Sequence, residues 1–156
     1  MNISIISVGK IREKFIVDGV AEFLKRLAPF ASVKIKEINA EKLKNEYDEK
    51  RAREIEGDKI LSLINQDDFN IGLFIEGTQL SSIELADKIK KISDSGINQI
   101  NFIIGGATGL DEKVVKFVDF KLSFSKMTFP HQLMRVILLE HIYRAFKIII
   151  NEPYHN

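Results

Sequence analysis

The side chains best suited to acid–base chemistry gather near the end of the chain. All three histidines lie there, at His131, His141 and His155. Between residues 121 and 156, five basic residues accompany two acids. The basic residues are Lys121, Lys126, Arg135, Arg144 and Lys147, and the acids are Glu140 and Glu152. We therefore place the candidate site in the part of the chain from Gln99 to Asn156.

Familiar catalytic arrangements are missing from the sequence, which has no G-x-S-x-G, no H-E-x-x-H and no paired carboxylates. Cysteine is absent, which argues against a thiolate zinc site, a cysteine nucleophile and a disulfide scaffold, and we expect no metal. The segments G-G-A-T-G (105–109) and S-K-M-T (125–128) offer glycines, small hydroxyls and backbone groups instead. Such loops suit a pocket that holds a cofactor through the main chain. Plain turns in a binding module and a hydrolase remain open as alternatives.

These segments follow predicted strands. Buried apolar runs at Ile71–Ile75 and Ile100–Ile104, and a shorter alternating run at Lys121–Ser125, predict three of them. In an open parallel α/β sheet, ligands bind beyond the carboxyl ends of the strands. We therefore expect the segments 73–77, 105–109 and 124–129 to form one pocket.

The whole chain alternates between predicted strands and helices. The earlier elements are a strand at Ile3–Val8, an amphipathic helix at Lys10–Leu27 and an edge strand at Val33–Ile38. Ser81 and Glu84 have the spacing of a capping box, which begins a further helix. Such alternation predicts an α/β fold with a mostly parallel sheet and helices on both faces. No repeat or linker interrupts it, so we expect a single domain over residues 1–156.

A charged segment, Glu41–Asp58, has only a thin apolar stripe at Leu43, Tyr47 and Ile55. This composition predicts a solvated helix, and an arm that becomes ordered on a partner is the alternative. We assign it no role in the site.

The predicted helix from Pro130 to Ile150 is apolar almost all round. Glu140, Arg144 and Lys147 form one narrow polar stripe, and Arg135 lies alone on the opposite side. A helix that is apolar on two sides needs two surfaces to pack against, which we expect to be its own sheet and a second copy of the protein. An arginine on an apolar face must have an anionic or polar partner.

Composition describes an ordinary globular chain of 156 residues, 45% apolar, with a net charge of +1. The near-zero charge argues against a general nucleic-acid-binding protein. No apolar run approaches the ~18 residues that a membrane span needs. The lack of cysteine fits a reducing cytosol, so we expect a cytoplasmic protein.

Four motifs in combination are specific enough to suggest a family. They are I-I-G-G-A-T-G-L (103–110), L-S-F-S-K-M-T-F-P-H-Q-L-M-R-V (122–136), Y-R-A-F-K-I (143–148) and P-Y-H (153–155). With them, the whole chain closely resembles the small bacterial SPOUT-class ribosomal RNA large subunit methyltransferase H family (RlmH type). Members of that family methylate N3 of a pseudouridine in 23S ribosomal RNA.

The resemblance implies a fold, a cofactor and partners. Such proteins have an α/β fold whose carboxyl-terminal part forms a deep trefoil knot, an exception to the rule against threaded loops. They are homodimers packed through the knot region and the last helix. They bind S-adenosyl-L-methionine in the knot and act on the assembled ribosome. A non-catalytic ribosome-binding or assembly factor with the same fold is the alternative.

The resemblance also implies roles for residues. The cofactor contacts would be Leu73, Gly105, Phe124, Ser125, Lys126, Met127, Thr128 and Phe129. The substrate side would be His131 together with the catalytic residues Arg135, Arg144, Tyr154 and His155. The nucleophile is an imide nitrogen that must lose its proton, and a basic environment favours its anion. Tyr154 and His155 are candidates for the base, because a tail can reach a partner subunit's pocket.

Overall fold

A computed structural model describes residues 1–154. In chain order, the strands and helices are β1 (Asn2–Val8), α1 (Lys14–Leu27), β2 (Ser32–Ile38), α2 (Glu49–Leu61), β3 (Phe69–Gln79), α3 (Ser82–Asp94), β4 (Gln99–Ile104), α4 (Glu112–Phe117), β5 (Phe120–Ser123) and α5 (His131–Ile149). A single 3-10 turn at Glu46–Asp48 precedes α2. The predicted alternation of strands and helices is therefore confirmed.

The five strands form one sheet in the order β2-β1-β4-β3-β5, and every neighbouring pair is parallel. The predicted α/β class is confirmed, and so is the edge position of β2. Strands buried on both faces have nearly continuous apolar sequences, as β1 does at Ile3, Ile5 and Ile6. Strand pairing alone does not define a knot, so the trefoil knot stays a prediction.

The helices cover both faces of this sheet, with a separate apolar core under each layer. On one face, α1, α3 and α5 pack together around side chains such as Phe102 and Leu138. On the other face, α2 and α4 pack around a smaller core that includes Ile60 and Val114. The carboxyl ends of β4, β3 and β5 thus open between the two helix layers.

Strand β3 is longer than predicted and is irregular in the middle. Both Leu73 and Thr78 pair with Leu122 of β5, so the residues between them bulge out of the ladder. A β-carbon on Gly77 would lie 2.7 Å from the backbone carbonyl carbon of Leu122, and glycine permits this close approach. The bulge carries residues 74–76 towards the ends of β4 and β5.

The beginnings of two helices test the local predictions. The capping box is confirmed: the Ser81 hydroxyl accepts from Glu84 N, and the Glu84 carboxylate accepts from Ser81 N. The predicted start of the first helix at Lys10 is wrong, because α1 begins at Lys14. Gly9 has a φ of 89° and Glu13 is extended, so the chain makes a turn after β1 before α1 begins.

Helix α5 lies between α1 and α3 on its face of the sheet. Its aromatic side chains contact the α1 layer, where Phe30 stacks on Phe146 at 5.9 Å and Phe23 lies 6.4 Å from Tyr143 between ring centroids. The two flanking helices therefore cover much of the apolar surface that the sequence assigns to a second copy. Leu133, Ile137 and Ile148 remain only partly buried.

Candidate functional site

A cavity of about 530 Å³ opens at the carboxyl ends of β3, β4 and β5. The bulge of β3 contributes Phe74, Ile75 and Glu76 to its wall. The loop after β4 contributes Gly105, Gly106, Ala107 and Gly109, and the segment after β5 contributes Phe124, Ser125, Met127, Thr128 and Phe129. The three predicted strand ends therefore do form one pocket.

The loop after β4 is a tight turn that depends on glycine. Gly109 N donates to Gly106 O at 3.0 Å, and Gly109 has a φ of 81°, which glycine adopts without strain. A β-carbon on Gly105 would lie 3.0 Å from the Gly109 carbonyl carbon. A side chain at position 105 would therefore crowd the turn and force its backbone to shift.

Ser123, at the end of β5, joins two walls of the cavity. Its buried hydroxyl lies 2.8 Å from Ile75 O and 3.1 Å from Ser125 O. It can donate to only one of these carbonyls at a time, and either bond fixes the segment after β5 against the β3 bulge. The sequence prediction missed this residue, because a serine within a strand has no local feature that separates it from a solvent-facing one.

Most residues predicted to contact a cofactor line this cavity. They are Leu73, Gly105, Phe124, Ser125, Met127, Thr128 and Phe129. Lys126 is exposed and is not among the lining residues. His131, predicted for the substrate side, also lines the cavity, at the start of α5. Contact between any of them and a cofactor stays a prediction.

The charged segment packs against the loop after β4, which the sequence did not predict. The predicted apolar stripe is wrong: Tyr47 is 93% exposed, and the buried residues of α2 are Ala52, Glu56, Gly57 and Ile60. The sequence prediction counted only large apolar residues and so missed this face. The face includes small residues, which let α2 pack closely against its neighbours.

Two side chains of α2 reach this loop. Arg53 Nη1 donates to Thr108 O at 3.3 Å. Glu56 is 5% exposed, and its Oε1 accepts from Glu41 N, whereas its Oε2 has no partner among the described residues. A β-carbon on Gly106 would lie 3.6 Å from this Oε2. Helix α2 therefore supports the loop from behind the cavity.

Arg135 is 1% exposed and has the anionic partner that its apolar surroundings require. Its Nη1 donates to Glu37 Oε1 of β2 at 2.8 Å, and its Nη2 donates to Gly9 O at 2.6 Å and to Val8 O at 3.3 Å. Burial lowers the pKa of the guanidinium and Glu37 opposes this effect, but an arginine stays charged at neutral pH. Its catalytic role stays a prediction.

Arg144 and Tyr154 meet at the other end of α5. Arg144 Nη2 donates to Glu140 Oε1 at 2.5 Å, and its guanidinium lies 4.9 Å from the centre of the Tyr154 ring. The Tyr154 hydroxyl donates to the same Glu140 oxygen at 3.3 Å, and its ring packs edge-on against Tyr143. These two predicted substrate residues are thus brought together. His155 lies outside the described residues.

His141 links this cluster to the cavity wall. Its ring stacks on Phe124 with centroids 5.2 Å apart, and its Nδ1 lies 3.1 Å from Glu140 Oε2. Burial lowers the pKa of the imidazole, Glu140 opposes the shift, and Arg144 adds to it. The neutral form of His141 is therefore favoured. The sequence pattern alone gives His141 no distinction from a packing residue.

The Tyr154 phenol has a raised pKa, first because it is partly desolvated and second because Glu140 is close. A phenol normally titrates near pH 10, so this one stays protonated at neutral pH. In this chain Tyr154 is therefore suited to donate a hydrogen bond rather than to accept a proton.

The chemistry available in the cavity is that of binding and alignment. Its walls are mostly apolar, and Glu76 is the one carboxylate among the described residues that line it. Its volume lies in the ~300–1,000 Å³ range of small-molecule sites. Within residues 1–154, no group of three metal-ligating side chains comes together, and no helix is long and apolar enough to cross a membrane.

Comparison with known proteins gives a consistent result over the full length. The family model described as "Predicted SPOUT methyltransferase" matches residues 1–155. The ribosomal RNA large subunit methyltransferase H of Bacillus pumilus is 49% identical, and a putative protein of the same name from Methanococcus maripaludis is also 49% identical. The Carboxydothermus hydrogenoformans protein of that name is 47% identical. Each alignment covers 99% of this chain and 99% of the relative.

Proposed function

The chain belongs to the SPOUT methyltransferase family, and we propose that it is an enzyme that methylates RNA of the large ribosomal subunit with S-adenosyl-L-methionine as the methyl donor. The observation that carries this proposal is the single cavity formed by the three strand ends. The names of the full-length relatives support the RNA substrate. We treat residues 1–156 as one methyltransferase domain.

The finer proposal is that the methyl group goes to N3 of a pseudouridine in 23S ribosomal RNA. We further propose that the protein acts in the cytoplasm, as a homodimer, on the assembled ribosome. The near-zero net charge supports a substrate that is recognised as a folded particle, because a protein that binds naked RNA by charge alone needs a basic surface.

The cavity residues fit the proposed cofactor. Apolar side chains such as Leu73, Phe124 and Phe129 suit a flat adenine ring, and the glycine turn after β4 lets backbone groups come close to it. Glu76 suits a cationic part of the same ligand. S-adenosylmethionine, when bound, supplies a methyl group on a sulfonium leaving group.

The protein itself must align the methyl acceptor and promote its deprotonation. The cavity walls exclude water and hold the methyl acceptor in line. In the proposed homodimer, Arg144 and Tyr154 of one chain supply positive charge and a hydrogen-bond donor to the site of the other chain, and both favour an imide anion there. Since Tyr154 is suited to donate, His155 is the better candidate to take the proton.

Methyl transfer from labelled cofactor to three substrates tests the proposal. Whole ribosomes, isolated subunits and naked 23S RNA would be assayed side by side, and the modified nucleotide would be located by mass spectrometry. We expect methylation of whole ribosomes at one pseudouridine. Cofactor binding without transfer to any substrate would contradict the enzyme, and a lack of both would favour a non-catalytic ribosome-binding or assembly factor.

A further inference from the structure

A second cavity of about 500 Å³ adjoins the first, and Gly106, Ala107 and His131 line both. The second cavity lies between the end of β1 and the beginnings of α1 and α5. Methyl transfer requires the acceptor atom to be within about 3–3.5 Å of the methyl group. A substrate group in this second cavity would be next to a cofactor in the first.

One residue that lines the second cavity has a hydrogen-bond donor without a partner. Arg135 lines it, and the Nε of this buried side chain has no hydrogen-bond partner within residues 1–154. The other two guanidinium nitrogens are held by Glu37 and by the carbonyls at the end of β1. A buried donor without a partner destabilises a protein, and such a group calls for an explanation, such as a catalytic role or a bound water or ion. The fixed guanidinium suits an acceptor oxygen.

The mouth of the cavity carries an exposed aromatic ring and an exposed cation. Phe15 of α1 is 67% exposed, more than Val17 at 46%, whereas Ile16, Val20 and Leu27 of the same helix are buried. Lys10 is exposed at the end of β1, and Glu13 is the one acid among the described lining residues. An aromatic face for stacking beside a positive charge is the usual arrangement for an unpaired nucleotide.

We propose that the second cavity holds the target nucleotide of the RNA, turned out of its strand. Its base carries an imide whose two carbonyl oxygens are acceptors, and one of them takes the free hydrogen bond from Arg135 Nε. Phe15 stacks on a base at the mouth, and Lys10 contacts the adjoining phosphate. This inference rests on the proposed function, because it names the place where that substrate binds.

Kinetic variants test the mouth of the cavity. Phe15→Ala should raise KM for ribosomes about tenfold, the scale expected for one lost base stack. Val17→Ala is the control, since Val17 is also exposed on α1 but does not line the cavity. Lys10→Ala should raise KM and reduce its salt dependence, whereas Lys14→Ala should do neither. The Kd for S-adenosylmethionine should stay unchanged in all four variants.

Two outcomes of this experiment would overturn the assignment. One is a Phe15→Ala variant with the KM of Val17→Ala. The other is a Phe15→Ala variant that has become monomeric by sedimentation while the wild type is a dimer, because the ring would then belong to a subunit interface.

A binding measurement decides the matter without any turnover. The protein saturated with S-adenosylhomocysteine would be titrated with uridine 5′-monophosphate, which has the imide, and with cytidine 5′-monophosphate, which lacks it. We expect amide NMR shifts at Gly106 and Ala107 with the uridine nucleotide and smaller ones with the cytidine nucleotide. Equal shifts, or none, would overturn the inference. A wild type that fails to methylate ribosomes would overturn the proposed function instead, and this titration would still decide what the cavity binds.

Discussion

At the residue scale, the cavity depends on glycines, which have no side chain, as much as on side chains that make contacts. Gly105 has little room for a side chain because the Gly109 backbone folds back over it. Ser123 joins two walls through one hydroxyl. The cluster of Glu140, Arg144 and Tyr154 is held by contacts among its own members.

We predict that Gly105→Val abolishes binding of S-adenosylmethionine while the protein stays folded. The added side chain would push the Gly109–Leu110 segment out of place rather than fill the cavity itself. Isothermal calorimetry would measure binding, and circular dichroism would check folding. Gly19→Ala in α1 is the control, since its β-carbon would lie 3.3 Å from the side chain of Val136 and, within residues 1–154, would meet no backbone atom outside its own helix. Wild-type affinity in Gly105→Val would place the cofactor elsewhere.

We predict that Arg144→Ala lowers methylation of ribosomes by about 100-fold, the scale for one lost acid–base or positioning group. The change also removes a contact that holds the Tyr154 ring. Deletion of residues 153–156 should have a similar effect, and neither change should alter cofactor affinity by more than a few-fold.

Lys90→Ala is the matched control for this prediction, because Lys90 makes a surface ion pair with Asp94 four residues on in α3. Full activity of the deletion variant would remove the tail from the mechanism. If Arg144→Ala is as active as the control, the Arg144–Glu140 ion pair has no role in catalysis.

We predict that His141 makes the protein less stable in acid. Its pKa in the folded chain lies below the ordinary 6.5, so the unfolded chain binds the proton more readily. Stability from this group is therefore complete above pH 6.5 and falls as the pH drops below it. His141→Phe keeps a ring against Phe124 and removes the titration. Urea unfolding from pH 7 to pH 5 should show a smaller loss in the variant than in the wild type, and an equal loss would contradict the assignment.

At the scale of secondary structure, α2 differs most from its sequence prediction, which assigned it no role in the site. Its buried face contacts the loop after β4, and a salt bridge from Lys113 to Asp58 ties it to α4 as well. Some charged residues of α2 therefore face solvent, and others support the loop after β4.

We predict that Arg53→Ala weakens cofactor binding about fivefold. The bond to Thr108 O is long, so we assign it about 1 kcal/mol, below the ~1.5–3 kcal/mol that a well-formed bond from a charged donor contributes. Arg51→Ala is the control, because Arg51 is exposed on the same helix. Calorimetry on both variants would decide, and identical affinities would show that α2 only packs beside the loop.

At the scale of the whole molecule, one face of α5 is left without a packing partner among the described residues. After α1 and α3 have packed against it, Leu133, Ile137 and Ile148 stay partly exposed along one line of the helix. A partly apolar face beside a functional site is what a two-fold partner would cover.

We predict a dimer at micromolar concentration by sedimentation, and Ile137→Glu should convert it to a monomer. Ile83→Glu is the control, because Ile83 is 52% exposed but belongs to α3 and not to α5. A monomeric wild type would exclude the interface. If the tail completes the partner's site, mixing a tail-deleted chain with a Gly105→Val chain should restore activity, since one complete site can form.

The sequence by itself determined the order of elements, the parallel α/β class, the capping box at Ser81 and the three strand ends that form the cavity. These features follow from local periodicity and from the rule that parallel strands present their carboxyl ends at one edge. Only the tertiary structure decided which residues contact the side chains of Arg135 and Arg53. Arg135 meets Glu37 from 98 residues away, and Arg53 meets Thr108 from 55 residues away. Such pairs depend on which helices share a face of the sheet, and no local pattern encodes that choice.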